Sequence, residues 1–260
     1  MKKRKTLPSL LVIVVLLLIL FFGESITNSD LSKYNPKKKY DGFRPFIITL
    51  QVDSENSSCP VVTIRAKTHT VLTQLFEYDF DVDWNNDGVF DHFGFKETVS
   101  NCFDKPGTYQ IGIRGKYPYW HTYIGDNEKL LSIDQWGDIE WESMENAFDY
   151  AENLVIKAED KPNLSKTNNL FAMFRRAIYV NKDIGSWDIS SIKNMDSMFY
   201  GVTMSTEIYD SILEGWSKQN LQKNVTFDAG NSNFCKAKKA REYLISNYNW
   251  KIKDGGLDCS

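Results

Sequence analysis

A stretch of nine residues, numbers 83 to 91, spaces oxygen-bearing side chains in a way that could bind a metal ion. Its positions 1, 3, 5 and 9 are occupied in turn by Asp83, Asn85, Asp87 and Asp91. Calcium loops place oxygen ligands at this spacing and a glycine at position 6, which here is Gly88. Position 12 is Gly94, where such loops carry a bidentate glutamate. Two interpretations stay open: a calcium site, or an acidic β-turn in which Asn-Asp-Gly supplies turn conformations.

Acidic and apolar side chains alternate just before this loop. The apolar set is Phe76, Tyr78, Phe80, Val82 and Trp84, and the acidic set is Glu77, Asp79, Asp81 and Asp83. Such alternation predicts a β-strand. Paired carboxylates could act in glycoside hydrolysis, but the simpler interpretation is the wet face of a half-buried strand. Motifs of hydrolases, zinc proteases and nucleotide-binding enzymes are absent from the sequence, so we predict no catalytic residues and no enzyme.

An aromatic cluster follows the strand region and could bind a ligand. Its members are Tyr117, Tyr119, Trp120 and Tyr123. Tyrosine and tryptophan are favoured where a surface must stack on or anchor a partner. We therefore consider this cluster a candidate platform for a sugar or a protein. The alternative is that these rings pack a junction between domains.

Four cysteines, Cys59, Cys102, Cys235 and Cys259, could form disulfides. They show no C-x-x-C spacing, which argues against a zinc site. Four cysteines allow three pairings, and proximity in the sequence favours Cys59–Cys102 and Cys235–Cys259. Each bridge would then stabilise its own part of the chain.

The N-terminus predicts export. Four basic residues within positions 2–5 precede an apolar run from Leu10 to Phe22. We expect residues 1–25 to be a signal peptide or a single-pass membrane anchor that attaches through residues 7–22, and the two alternatives stay open. Residues 26–44 are polar and predict a linker. The net charge of −3 argues against a nucleic-acid partner.

The rest of the chain divides into three predicted parts. Residues 45–125 alternate in the manner of strands and predict a β-sandwich-like domain. Residues 126–211 contain a repeat in which an apolar residue is followed by phenylalanine four positions later; its copies begin at Met144, Leu170 and Met195. A period of 25 or 26 residues is typical of a solenoid, and the i, i+4 spacing predicts a helical turn in each repeat. Residues 212–260 would form a helical cap.

The best-defined repeat, residues 183–201, resembles the repeat unit of BspA-type leucine-rich-repeat surface proteins of bacteria. Residues 79–91 with Pro106-Gly107-Thr108-Tyr109 resemble the PKD-like domain that precedes such repeats. The resemblance covers residues 45–260, although the chain has only about three repeats and the middle one lacks tryptophan. It implies an α+β chain: a PKD-like β-sandwich-like domain, then a short leucine-rich-repeat solenoid of about three repeats with a helical cap.

The resemblance also implies an exported protein exposed at the cell surface or released, with adhesion as its usual suggested role. We therefore expect a non-catalytic protein that binds an extracellular protein or glycan. Two alternatives remain: a structural spacer or envelope assembly protein without a host ligand, and a glycan-active enzyme. Calcium is the only cofactor that the sequence suggests.

Overall fold

The computed structural model describes residues 39–53, 59–66, 76–121 and 127–260. The predicted export segment and most of the predicted linker lie outside these residues. Residues 42–260 form one compact unit. Among the described residues, no helix is both long and apolar enough to cross a membrane.

A six-stranded sheet organises the first half of this unit, in the order β4-β3-β6-β1-β7-β8. Its strands are β1 (Phe46–Val52), β3 (Asp79–Asp83), β4 (His92–Phe95), β6 (Gly107–Lys116), β7 (Leu130–Gln135) and β8 (Val155–Ile156). The central strand β1 is antiparallel to both β6 and β7, with Phe46 opposite Ile113 and Ile48 opposite Ile133. Both sides of β1 are therefore hydrogen-bonded, and most of its side chains are buried.

Three two-stranded sheets and two α-helices complete the described part of the fold. Strands β2 (Val61–Ile64) and β5 (Val99–Cys102) pair antiparallel, whereas β9 (Thr226–Asp228) pairs parallel with β11 (Lys251–Lys253), and β10 (Asn233–Phe234) with β12 (Gly256–Leu257). The helices are α1 (Thr206–Trp216) and α2 (Lys238–Tyr248), and a short 3-10 helix spans Asn127–Lys129. Helix α1 begins at Ser205, whose side chain accepts a hydrogen bond from the Ile208 amide, as an N-cap residue does.

From the end of β7 to α1 the chain forms turns that stack on one another, and β9 continues the stack. Isolated parallel bridges join neighbouring turns, including Asn169 to Asn194 and Met195 to Phe227. The phenylalanine rings of the three repeats lie inside this stack: Phe174 stacks on Phe148 at 5.4 Å and on Phe199 at 5.6 Å between ring centroids. All three rings are fully or almost fully buried. The repeated phenylalanine is thus a core residue that joins successive turns.

The prediction of the fold class is wrong. It describes an α+β chain with a β-sandwich-like domain, followed by a leucine-rich-repeat solenoid and a helical cap. The described residues form mostly small sheets and turns with only two α-helices, and no closed solenoid is seen among them. Moreover β7 and β8, which belong to the predicted solenoid, complete the sheet that β1, β3, β4 and β6 begin.

The helical turn expected in each repeat is absent because the backbone amides bond to the neighbouring turn. The Phe148 amide donates to the Met173 carbonyl, and the Phe174 amide donates to the Met198 carbonyl, each at 2.9 Å. An α-helix would direct these amides to carbonyls four residues back in the same segment. Apolar residues four positions apart thus face the core from a tight turn. Their spacing alone does not distinguish such a turn from an α-helix.

Candidate binding surface

Each stacked turn contains two residues with positive φ, placed two positions before and two positions after its phenylalanine. In chain order these residues are Asn146 and Tyr150, Ala172 and Arg176, and Ser197 and Gly201. A left-handed conformation costs an ordinary L-residue roughly 1–2 kcal/mol, and glycine is the residue that adopts it freely. The third turn has glycine after its phenylalanine, whereas the first two have tyrosine and arginine. Two large side chains therefore occupy positions where the backbone favours glycine.

Hydrogen bonds between turns bring these positions together at one edge of the stack. The Tyr150 amide donates to the Arg175 carbonyl at 2.8 Å, and the Arg176 amide donates to the Tyr200 carbonyl at 2.8 Å. Residues about 25 positions apart in sequence thus become neighbours on the surface.

A groove of about 340 Å³ lies at this edge, and we call it the turn-edge groove. It is lined by Glu152, Arg176, Ile178, Tyr200, Gly201, Gly230, Asn231 and Lys253. Its volume is at the lower end of the roughly 300–1,000 Å³ that small-molecule sites occupy. The lining combines an aromatic ring, an aliphatic side chain, two cations, a carboxylate and an amide. Such a mixture can stack on a ligand and hydrogen-bond to it.

Two cations lie over tyrosine rings at the groove. The Lys253 ammonium is 5.0 Å from the centre of the Tyr200 ring, and the Arg176 guanidinium is 5.3 Å from the centre of the Tyr150 ring. These distances fall within the range of cation–π attraction. Each contact restrains the position of its cation and of its tyrosine ring.

The two cations differ in their other partners. Lys253 donates to Asp228 at 2.9 Å, and this hydrogen bond raises the pKa of the lysine. Arg176 forms no ion pair within the described part of the chain, whereas Arg175 next to it is paired with Asp149. Arg176 therefore presents an unneutralised guanidinium to the groove.

Glycines let the backbone and Arg176 approach closely at the floor of the groove. Gly201 has φ +79°, and a Cβ at this position would lie 3.3 Å from the Cγ of Arg176. Gly230 has φ +67°, and a Cβ there would lie 2.3 Å from the carbonyl oxygens of Phe199 and Val202. Larger residues at either position would displace the elements that form the groove.

Four exposed apolar side chains lie in or near the groove lining. Tyr150 and Tyr200 are each 44% exposed, and Ile178 is similarly exposed. Tyr179, which follows Ile178 directly, is 61% exposed. A group of exposed aromatic and aliphatic residues is typical of an interaction surface rather than of an ordinary solvated face.

The aromatic cluster predicted from the sequence is not an exposed platform. Tyr117, Tyr119 and Trp120 are buried, and Tyr123 lies outside the described residues. The Tyr117 ring contacts Phe80 edge-on at 4.9 Å, and burial raises the pKa of the Tyr119 hydroxyl to about 12. These rings pack in the core of the compact unit next to the six-stranded sheet, and not at a junction between two domains. Trp120 also lines a smaller cavity of about 220 Å³.

The carboxylates of the predicted calcium loop bond to the loop itself. Asp83 accepts hydrogen bonds from the amides of Asn85 and Gly88 at 3.3 and 2.9 Å. Asp87 accepts from the Val89 amide and the Asn85 side chain, and Asp91 accepts from the Trp84 amide. The described residues contain no group of three acidic, histidine or cysteine side chains that could hold a metal ion. This arrangement fits the acidic β-turn better than a calcium site, and calcium binding stays an untested prediction.

The acidic side chains of β3 do not form a uniformly wet face. Glu77 is exposed, but Asp81 and Asp83 are buried. Asp81 accepts hydrogen bonds from the Arg114 guanidinium at 3.0 Å and from the Gly94 amide at 2.9 Å. Burial raises the pKa of Asp81, and these two bonds oppose the increase. The sequence-based expectation fails here because the partners that allow burial come from β4 and β6.

Both predicted disulfides are confirmed. Cys59 is bonded to Cys102 and Cys235 to Cys259, and the described residues contain no free cysteine. The first bridge joins the start of β2 to the end of β5, which pair with each other. The second joins the residue after β10 to the chain end beyond β12, and these strands also pair.

Sequence reasoning missed the turn-edge groove, although a signal was present. The phenylalanines define the repeat, and the positions two residues after each of them carry a second signal. Those positions are Tyr150, Arg176 and Gly201. Two large side chains and a glycine thus occupy the same position of the repeat. Residues at the same position of a stacked repeat lie on the same edge of the molecule.

Comparison with known proteins gave one match. Residues 122–247, just under half of the chain, match the model of a family described as Mycoplasma protein of unknown function, DUF285. The matched segment contains all three repeats, helix α1 and all of helix α2 except its last residue. No curated protein and no solved structure matches the chain.

Proposed function

We propose that this protein is an exported, non-catalytic surface protein that binds an extracellular protein or glycan through the turn-edge groove. The observation that carries this proposal is the pair of cation–tyrosine contacts, Arg176 with Tyr150 and Lys253 with Tyr200, on one partly exposed surface. Aromatic and arginine side chains supply a large share of the binding energy at protein surfaces.

The backbone at the groove supports the same role. Tyr150 and Arg176 have left-handed φ values of 57° and 58°. Strained positions of ordinary residues cluster at functional sites, where the side chain rather than the backbone determines which residue is present.

Two features support export. Both disulfides would persist in an oxidising environment outside the cytoplasm. The basic residues followed by the apolar run Leu10–Phe22 are typical of an export signal or membrane anchor. The resemblance of residues 183–201 to BspA-type surface proteins agrees with this localisation, and relationship to that family remains part of the proposal.

A binding screen tests the proposed function. The full chain, produced under oxidising conditions and held in mild detergent because of its apolar N-terminal run, is screened against extracellular-matrix proteins and a glycan array. The variant Tyr150→Ala/Tyr200→Ala removes both rings at the groove. Tyr243→Ala is the matched control, because Tyr243 is 42% exposed and lies on α2.

We expect at least one saturable ligand whose affinity falls about ten-fold or more in the double variant and stays unchanged in the control. Ligands that bind all three proteins equally would contradict the role of the groove. Absence of any ligand would contradict the binding function and would favour the alternative of a structural spacer in the cell envelope.

A further inference from the structure

We infer that the turn-edge groove recognises a carboxylated glycan, with Arg176 binding the sugar carboxylate. The inference rests on the proposed function and specifies the chemical class of its ligand. It follows from the charge of Arg176, from the aromatic rings beside it, and from the position of Glu152 in the same groove.

Arg176 differs from most of the arginines that the structure describes. An aspartate pairs with each of four others, Arg44, Arg114, Arg175 and Arg241. Arg176 has no such partner among the described residues, and its guanidinium stays next to Tyr150 at the groove. A guanidinium binds a carboxylate through two parallel hydrogen bonds and retains its charge at every physiological pH. Arg176 therefore has donors available for the carboxylate of a ligand.

The neighbouring rings fit a sugar. Tyr200 lines the groove, Tyr150 lies next to it under the guanidinium of Arg176, and both rings are half-exposed. An aromatic ring presents a flat apolar surface at low cost in conformational entropy. A pyranose ring has an apolar face that packs on such a surface while its hydroxyl groups point to polar neighbours. The Asn231 side chain, which also lines the groove, can donate to or accept from those hydroxyls.

Glu152 distinguishes a sugar from a simple anion. Glu152 lines the same groove as Arg176 and Lys253, so it repels a doubly charged phosphate or a polyacidic peptide more strongly than a sugar that carries a single carboxylate. A carboxylated sugar also brings hydroxyl donors, which a carboxylate accepts readily. The groove thus offers a cation for the acidic group and an acceptor for the hydroxyl groups, and an acidic glycan satisfies both.

The test is an array of uronate- and sialate-containing oligosaccharides, each printed beside the same oligosaccharide with its carboxylates reduced to alcohols. The full chain is compared with Arg176→Gln, Arg176→Lys, Glu152→Ala and the control Tyr243→Ala. Circular dichroism and the thermal midpoint verify that each variant is folded.

We expect saturable binding of at least one carboxylated glycan and about ten-fold or weaker binding of its reduced form, as loss of a hydrogen-bonded charge predicts. Arg176→Gln lowers affinity by a similar factor, and Arg176→Lys restores only part of it because the two-point contact is lost. Glu152→Ala also weakens binding, whereas recognition of a bare anion would strengthen when this acid is removed.

Three results would overturn the inference: equal binding of carboxylated and reduced glycans, unchanged affinity in Arg176→Gln, or no carboxylated glycan bound. A protein ligand that depends on Tyr150 and Tyr200 would then leave the proposed binding function standing with a different ligand class. If no ligand depends on these tyrosines, the proposed function fails as well.

Discussion

Replacing Phe174 with alanine should remove the central ring of the stacked turns. Phe174 is fully buried and stacks on Phe148 at 5.4 Å and on Phe199 at 5.6 Å, with interplanar angles of 12° and 17°. It also contacts Trp187 at 6.4 Å between ring centroids. The substitution opens a cavity between two neighbouring turns and removes both stacked pairs at once.

The expected cost follows from these contacts. Truncation of a buried phenylalanine to alanine costs about 3–5 kcal/mol, and each favourable aromatic pair contributes about 0.5–1.5 kcal/mol beyond area burial. Because part of the pair energy is already counted in such truncations, we expect Phe174→Ala to lower the free energy of unfolding by about 4–6 kcal/mol. Phe174→Leu keeps most of the volume but loses the ring contacts, so it should cost about 1–3 kcal/mol.

Urea denaturation followed by tryptophan fluorescence, with both disulfides intact, measures this difference. Tyr179→Ala is the control on the same turn, because Tyr179 is 61% exposed and its loss should change stability by no more than about 0.5 kcal/mol. A cost below about 2 kcal/mol for Phe174→Ala would refute the account of the phenylalanine rings as the core of the stack.

Three further perturbations test other parts of the structure. Arg176→Gly should leave the free energy of unfolding unchanged or raise it by up to about 1 kcal/mol in a denaturant titration, because relief of the left-handed strain outweighs the entropy of glycine. Asp138→Asn should destabilise the protein at pH 6, and this deficit should shrink as the pH falls below about 3.9. Hydrogen bonds from the backbone amide and the side chain of Arg44 hold the pKa of Asp138 below its ordinary value, so its contribution is lost as the pH falls through the lower, folded-state pKa. Replacing both Cys235 and Cys259 with serine should cost about 3–4 kcal/mol in the same titration, since the bridge closes a loop of 24 residues.

A specific result would contradict each of these three predictions. Strong destabilisation by Arg176→Gly would mean that the arginine is structural. A stability deficit of Asp138→Asn that persists unchanged at pH 3 would separate it from the ionisation of Asp138. A double serine variant as stable as the parent would show that the bridge does not constrain the unfolded chain. Wild-type protein at each pH provides the reference.

Local features of the fold could be predicted from the sequence. The disulfide pairs were predictable because each joins cysteines of the same region. The buried role of Phe148, Phe174 and Phe199 follows from their period. In each case the signal lies in the residue types of one segment or in a regular spacing.

Features that depend on distant partners could not be predicted. The i, i+4 spacing of the repeats suits a helical turn and a stacked turn equally, and the choice depends on hydrogen bonds to the next repeat. The pairing of β1 with β7 joins segments that the sequence assigned to different domains. Burial of Asp81 depends on Arg114, 33 residues later, so an acidic residue on a strand was assigned to the solvent face. The turn-edge groove forms only when three turns come into phase.

Footprinting with hydroxyl radicals tests the central claim most directly, because it locates the bound ligand without any amino-acid substitution. Tyr150, Tyr200 and Tyr243 are 44%, 44% and 42% exposed, so their reactivity in the free protein should be similar. With a saturating ligand from the binding screen, we predict that oxidation of Tyr150 and Tyr200 falls several-fold while that of Tyr243 is unchanged. Protection of Tyr243 alone, or equal oxidation of all three rings with and without ligand, would contradict binding at the turn-edge groove.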